Sequence, residues 1–226
     1  MSQELTKRII TSIILLAVVL NCLFINAYSW LLLLLTVSII SWFEFFNLCK
    51  KIYKNGYSLI FSSLLSFLTL LTFVYAAYLT REKSGIIVML FILLVCIFSD
   101  VGGYIVGKSV GGKKLTKISP NKTISGSIGS FLFSLFPIGI YIFFSNLNDN
   151  DLFDFVFDDE VIIGCLLISL ACQIGDLIIS FFKRLAKVKD TGKILPGHGG
   201  ILDRIDGLIF AIISLLLINK ILFWII

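Results

Sequence analysis

Between Ser180 and Gly207 the chain reads SFFKRLAKVKDTGKILPGHGGILDRIDG, a polar segment between two apolar runs that holds cations, carboxylates, glycines and the only histidine, His198. Asp203 and Asp206 are three apart, so both carboxylates share one face if a helix begins here. Acids at a helix start also favour its dipole, so the pair alone does not decide its role. Asp176 adds a third carboxylate: it lies in the apolar run LISLACQIGDLIIS, seven residues before Lys183. In a helix that separation is about 10 Å, which is deep enough to need a partner and shallow enough to meet a ligand from the surface. Hard carboxylate oxygens at Asp176, Asp203 and Asp206 suit Mg²⁺. A single histidine and no cysteine pair argue against zinc. Lys183, Arg184, Lys189, His198 and Arg204 supply donors for phosphate oxygens, and Gly197, Gly199 and Gly200 let backbone approach a ligand closely. The chemistry this pattern suits is metal-assisted phosphoryl or nucleotidyl transfer.

A second polar segment starts at Asp100, in the apolar run LVCIFSDVGGYIVG, and continues through GGKKLTKISPNKTISGSIGS. Lys114, Ser119, Lys122, Thr123 and Ser125 offer ammonium and hydroxyl donors. Gly111, Gly112 and Gly126 can bring backbone N–H groups to an anion. No GxxxxGK[ST] is present, so this is not a P-loop. Gly102, Gly103 and Gly107 read equally well as helix-packing positions.

The elements that must carry these residues are membrane helices. The chain has 226 residues, 58% of them hydrophobic, and a mean hydropathy of +1.02. Soluble domains are roughly 45–50% apolar, and several runs here reach the roughly 20 apolar residues a bilayer span needs. A soluble fold is thereby excluded. The expectation is an all-α, polytopic transmembrane bundle of about seven spans, near 9–27, 29–47, 58–80, 85–107, 126–146, 161–182 and 206–226. The chain reads as a single integral-membrane domain over 1–226, with its catalytic part at about 85–226 and peripheral helices at 1–84. No small-residue cleavage site follows the first run, which therefore reads as a retained helix.

Charge sets the orientation. With the N-terminus in the cytoplasm, the outer segments hold only Arg81, Lys83 and Lys220, and the other sixteen of nineteen basic residues fall inside. Both polar loops, 108–125 and 183–205, then share the cytoplasmic face. Topogenesis and attraction to anionic headgroups account for lysines in general, but not for lysines set among glycines and acids. The acidic residues Asp149, Asp151, Asp154, Asp158, Asp159 and Glu160 fall outside and read as a solvated loop. Cys22, Cys49, Cys96, Cys165 and Cys172 form no CxxC pair and read as small hydrophobes.

Ser180, Lys183-Arg184, Lys189-Asp190 and His198-Gly199-Gly200-Ile201-Leu202-Asp203-Arg204-Ile205-Asp206 together resemble the signature of the phosphatidate cytidylyltransferases, also called CDP-diacylglycerol synthases, without a departing position. Asp100 to Gly129 is similar to the same family through Asp-x-x-Gly-Tyr and Ser-Pro-x-Lys-Thr, with Ser125 where the family has a Glu. The N-terminal third matches only in hydropathy and its Lys-Arg start. The chain is shorter than many bacterial members, which predicts that peripheral helices are missing.

The resemblance implies an enzyme of the cell (inner) membrane that condenses CTP with phosphatidic acid, giving CDP-diacylglycerol and pyrophosphate. It implies a metal pair at Asp176, Asp203 and Asp206, with Mg²⁺ expected and K⁺ the candidate second ion. Asp100, Lys114, Ser119, Lys122 and Thr123 are then expected around CTP. The other implied partners are the bilayer and a second copy in a homodimer; no nucleic acid is expected. A CTP-dependent enzyme acting on another lipid, such as a polyprenol, remains open, as does a secondary transporter with buried acids.

Overall fold

The computed structural model describes residues 3–116, 119, 121–147 and 159–221. Lys117 and Asp149, Asp151, Asp154 and Asp158 of the acidic run lie outside the described residues. The architecture is all-helical: α1 (Gln3–Ile25), α2 (Ala27–Ile52), α3 (Gly56–Ser109), α4 (Ile124–Phe133), α5 (Phe136–Leu147), α6 (Asp159–Leu185) and α7 (Leu202–Ile221). Five helical segments are long and apolar enough to cross a membrane: Leu5–Ile25, Ala27–Ile52, Gly56–Ser109, Ile124–Phe143 and Asp159–Leu185. Large apolar side chains point outward along them, with Leu32 and Phe61 each 68% exposed. An apolar surface of this extent suits lipid, not water.

The expected hairpin near Asn26 is present and tightly made. Asn26 Oδ1 accepts from Ser29 N at 2.7 Å, and Ser29 Oγ accepts from Asn26 N at 3.3 Å, a reciprocal capping box that starts α2. Arg81 of α3 anchors this turn: it is 8% exposed and its Nε donates to Leu23 O at 3.0 Å. Trp30 Nε1 donates to Ala77 O at 3.3 Å. Arg81 thus sits in a helix, not in the loop expected between 80 and 85.

Fifty-four residues of straight helix would run about 80 Å, far beyond a hydrocarbon core of about 30 Å. Gly85 resolves the excess: its φ of 89° and ψ of 169° break α3 where the sequence separates 58–80 from 85–107. The expected helix 126–146 is also divided. Its first part ends at Phe133, Ser134 caps it, and Pro137 stands in the first turn of α5, where no intrahelical N–H is required.

Two glycine-lined crossings bring the polar residues together. The second half of α3 packs on α4, where a Cβ on Gly129 would lie 2.7 Å from Gly102 O. Gly102, Gly103 and Gly107 all face α4 atoms or its Thr123 cap, so their role is close helix approach. α6 packs on α7 in the same manner: a Cβ on Gly175 would lie 2.6 Å from Asp206 O, and one on Gly207 2.5 Å from Cys172 Sγ. The core between α2, α3, α6 and α7 includes Phe73, Met89, Val95, Cys165 and Ile212. Ser99 of α3 and Ser169 of α6, both fully buried, share a hydrogen bond of 2.7 Å inside it.

Candidate active site

The glycine crossings bring Asp100 from α3, Asp176 from α6 and Asp206 from α7 close enough for their charges to act on one another. Lys122 forms an ion pair with Asp176. Ser180 Oγ donates to the other Asp176 oxygen at 3.4 Å, and Gly207 N donates to Asp206 Oδ1 at 2.9 Å. Asp100 and Asp176 line a cavity of about 320 Å³ together with Ser119, Lys122, Thr123 and Gln173.

The loop between α3 and α4 is braced to hold this cavity wall. Leu115 N donates to Lys122 O at 2.8 Å and Ile124 N to Lys113 O at 3.0 Å, closing an antiparallel bridge between Lys114 and Thr123. Thr123 caps α4 by accepting from Gly126 N at 3.1 Å. Gly126 N is therefore committed to the cap. Ser125, which stands where a Glu is expected, donates to Gly111 O and lies 3.0 Å from Thr123 Oγ1, so it ties the base of the loop. Lys114 is exposed and does not line the cavity.

The second polar loop forms a separate, more open cavity of about 620 Å³, with Lys189, Lys193, His198 and Arg204 on its wall. Arg8 of α1 joins them. Thr11 Oγ1 donates to Pro196 O at 3.2 Å, and Ser12 Oγ lies 3.3 Å from His198 Nε2. Arg204 Nη2 donates to His198 O at 2.9 Å. Burial, and then the guanidiniums of Arg204 and Arg8, hold the His198 imidazole below its ordinary pKa, against a Pro196 backbone contact that raises it. His198 is thus neutral near pH 7. Arg184 is exposed and lines neither cavity.

Asp203 and Lys183 stand apart from both cavities. Asp203 Oδ1 accepts from Lys183 Nζ at 2.8 Å. Asp203 Oδ2 accepts from Thr191 N at 2.8 Å, Thr191 Oγ1 at 3.0 Å and Gly200 N at 3.1 Å. Four donors thus occupy its two oxygens. Among the described residues no three carboxylate, imidazole or thiol groups stand close enough to hold a metal ion as placed. The expected cage of Asp176, Asp203 and Asp206 is not assembled, because Asp203 serves the loop that precedes its helix. The hard oxygens of Asp176 and Asp206, with Asp100 beside them, do have the donor chemistry a divalent cation needs.

Glu44 is a residue that the sequence reading missed. It is 5% exposed within α2 and accepts hydrogen bonds from Ile201 N and Leu202 N at the start of α7. A lone acid in the apolar run SWFEFF is the signal that could have found it. Together with Arg8 and Ser12 it shows that helices before residue 85 help to shape the polar loop. Between α2, α3, α6 and α7 lies an apolar cavity of about 300 Å³, lined by Phe45, Leu65, Leu70, Ile179, Phe182 and Phe210.

Helices suited to cross a bilayer, an acid-lined cavity and a basic glycine loop define a multi-pass membrane protein that gathers charge of both signs. The sequence pattern of the cytidylyltransferase family matches residues 51–222, and the chain belongs to that family. It is 41% identical over 145 residues to a phosphatidate cytidylyltransferase of Staphylococcus haemolyticus (strain JCSC1435), covering 63% of this chain and 53% of that protein. It is 42% identical over 147 residues to the enzyme of that name from Staphylococcus aureus (strain COL), with the same coverage. To that of Helicobacter pylori (strain J99 / ATCC 700824) it is 38% identical over 142 residues, covering 62% of this chain and 50% of the relative. The chain spans about half the length of the curated relatives it matches.

Proposed function

We propose that this chain transfers the cytidylyl group of CTP to phosphatidic acid, giving CDP-diacylglycerol and pyrophosphate for phospholipid synthesis. The observation that carries the reading is the meeting of Asp100 and Asp176 with Lys122 at one cavity, with Asp206 close enough for its charge to act on both acids, in a chain of the cytidylyltransferase family. A phosphate oxygen of phosphatidate forms a bond to the α-phosphorus of CTP, and the bond from that phosphorus to the bridging oxygen breaks. Phosphate oxygens are already ionised near neutral pH, so no strong base is needed.

Both reactants are anionic, and the chain's cations offset their repulsion. Lys122, Ser119 and Thr123 orient phosphate oxygens in the acid-lined cavity, while Lys189, His198 and Arg204, with Arg8 and Lys193, receive charge at the loop. A neutral His198 donates one hydrogen bond without adding charge. Asp176 and Asp206 would hold Mg²⁺, with Asp203 joining them by giving up its Lys183 partner. Mg²⁺ at this place would withdraw negative charge from the CTP phosphates, and K⁺ is the candidate second ion. The apolar cavity beside Phe182 and Phe210 has the chemistry to receive an acyl chain from the bilayer.

The topology that fits this reading counts the two halves of α3 separately, α4 with α5 as one and α7 as the last of seven crossings. The N-terminus and both polar loops then face the cytoplasm from the cell membrane, and two copies form a homodimer. The test uses purified protein, Mg²⁺ and phosphatidate or a polyprenol in mixed micelles, with [α-³²P]CTP to follow cytidylyl transfer and, in parallel, [γ-³²P]CTP to follow phosphoryl transfer. Labelled CDP-diacylglycerol is expected with phosphatidate alone, and its loss on adding EDTA or in Asp206→Asn. Full turnover in Asp206→Asn sinks the metal assignment, and product with polyprenol alone sinks the substrate.

A further inference from the structure

Glu44 forms no ion pair among the described residues, where the ion pairs are Arg81–Glu82, Lys122–Asp176 and Lys183–Asp203. Its carboxylate instead meets the N-terminal edge of α7. Ile201 N donates to Oε1 at 3.1 Å, Leu202 N to Oε2 at 2.8 Å, and Thr191 Oγ1 lies 3.2 Å from Oε2. A helix start carries backbone N–H groups without partners inside the helix, and a negative group there suits the dipole. Hydrogen bonds from N–H to an ionised oxygen are also the stronger kind. The partners lie 157 and 158 residues away in the chain, so α2 caps α7 from outside.

The surroundings are fitted to this carboxylate. A Cβ added to Gly192 would collide with Oε1, and one added to Gly200 would lie 2.5 Å from Oε2. Thr191 stands between two acids, its single hydroxyl proton facing Glu44 Oε2 at 3.2 Å and Asp203 Oδ2 at 3.0 Å. The first amides of α7, Thr191 and Asp203 are therefore tied into one hydrogen-bonded unit. Asp206 is one helical turn further on, and His198 is in the loop that the unit closes.

We infer that Glu44 is a positioning residue for the transfer reaction, holding α7 and the His198 loop in register with the acid-lined cavity. This rests on the function proposed above. Glu44 touches neither substrate and acts through Thr191, Ile201 and Leu202. Displacement of about 1 Å at a reacting centre costs about a hundredfold in rate, so its effect should fall on kcat more than on CTP binding.

The experiment uses the full chain in detergent with Glu44→Gln, Glu44→Asp and Thr191→Val. Steady-state kinetics with CTP and phosphatidate are read beside hydrogen–deuterium exchange of residues 190–203. Glu44→Gln should lower kcat by about ten- to a hundredfold, change KM for CTP by less than about threefold, and speed exchange at Ile201 and Leu202 by about tenfold. Glu44→Asp, which keeps the charge, should recover part of kcat, and Thr191→Val should show the same pattern more weakly. Wild-type kcat and exchange in Glu44→Gln overturn the inference, as would a change in KM alone. If Glu44→Gln does not fold, unchanged kcat and exchange in Thr191→Val overturn it equally. Should the wild type make no CDP-diacylglycerol, the substrate reading fails, while the exchange comparison still decides whether Glu44 holds the loop.

Discussion

The acid-lined cavity and the histidine loop both present charge at the helix ends, yet they are built by opposite means. Around the cavity, glycines let α3 approach α4 and α6 approach α7; the acids that result act on one another, and Asp100 and Asp176 line open space. Around the loop, acids are the construction material: Glu44 and Asp203 accept from the backbone N–H groups of Thr191, Gly200, Ile201 and Leu202. A carboxylate that already accepts from four donors is a different object from one that repels its neighbours, even when the two are one helical turn apart. Counting acids by spacing cannot tell them apart; counting their donors can.

The comparison breaks most visibly at the acids themselves. Asp176→Asn should lower cytidylyl transfer by about 10³-fold. Its ion pair with Lys122 is partly exposed, so thermal stability should change by no more than about 1 kcal/mol. Asp203→Asn should lose activity and stability together. Lys183 is only 15% exposed and would lose its carboxylate partner, and whichever way the new amide turned, its nitrogen would face either Lys183 or the backbone donors. The expected loss is about 3 kcal/mol. Thermal unfolding in detergent beside the radiolabel assay checks both variants, and equal stability losses would erase the distinction between the two regions.

Several of these residues were legible in the sequence, for physical reasons. Asp100 and Asp176 declare themselves because an ionisable group in an apolar run is costly, and the same cost forces them toward a shared polar space. The hairpin at Asn26 follows from two apolar runs with almost no chain between them. Gly85 is the first residue of the run 85–107, and the structure breaks the helix there, while Arg81 and Glu82 remain helical just before it. Asp203 was not separable from Asp206, since their spacing is all that sequence shows and their partners differ only in three dimensions. Glu44 carries the same signal as Asp100, but its partners are backbone amides, which leave no side-chain signature to match. Arg8 reads as a topogenic charge, and only the packing of α1 against the Pro196 turn brings it to the loop.

Glycine substitutions sharpen the contrast at intermediate cost. A methyl on Gly175 or Gly207 meets backbone or a buried sulfur, at 2.6 Å from Asp206 O and 2.5 Å from Cys172 Sγ. Gly175→Ala and Gly207→Ala should each destabilise by about 1–3 kcal/mol through overpacking. Turnover should fall as α7 is pushed away from Asp176. Gly164, on the same helix α6, has nothing within 4 Å of an added Cβ. Gly164→Ala should be neutral or stabilising by about 0.5 kcal/mol, because alanine loses less backbone entropy in a helix. Melting curves of the three variants decide this, and a similar loss at Gly164 would show that the crossing is not special.

The smallest effect belongs to the loop's histidine, and its sign follows from its surroundings. Burial and the two guanidiniums hold His198 below its ordinary pKa of about 6.5 in the folded chain. The unfolded chain therefore binds this proton more readily, and below pH 6.5 protonation favours unfolding. The contribution of His198 is fully present above that value and is lost as pH falls from it toward the lower folded pKa. Charging the ring also adds a third cation beside Arg8 and Arg204, which should loosen the loop from α1 before the helices respond. Exchange of the amides of 195–199 should accelerate between pH 7 and pH 5 beyond the intrinsic rate change, whereas amides of the α6–α7 crossing should not. In His198→Gln, which cannot take up the proton, that extra acceleration should disappear; if it persists, some other group carries the pH dependence of the loop.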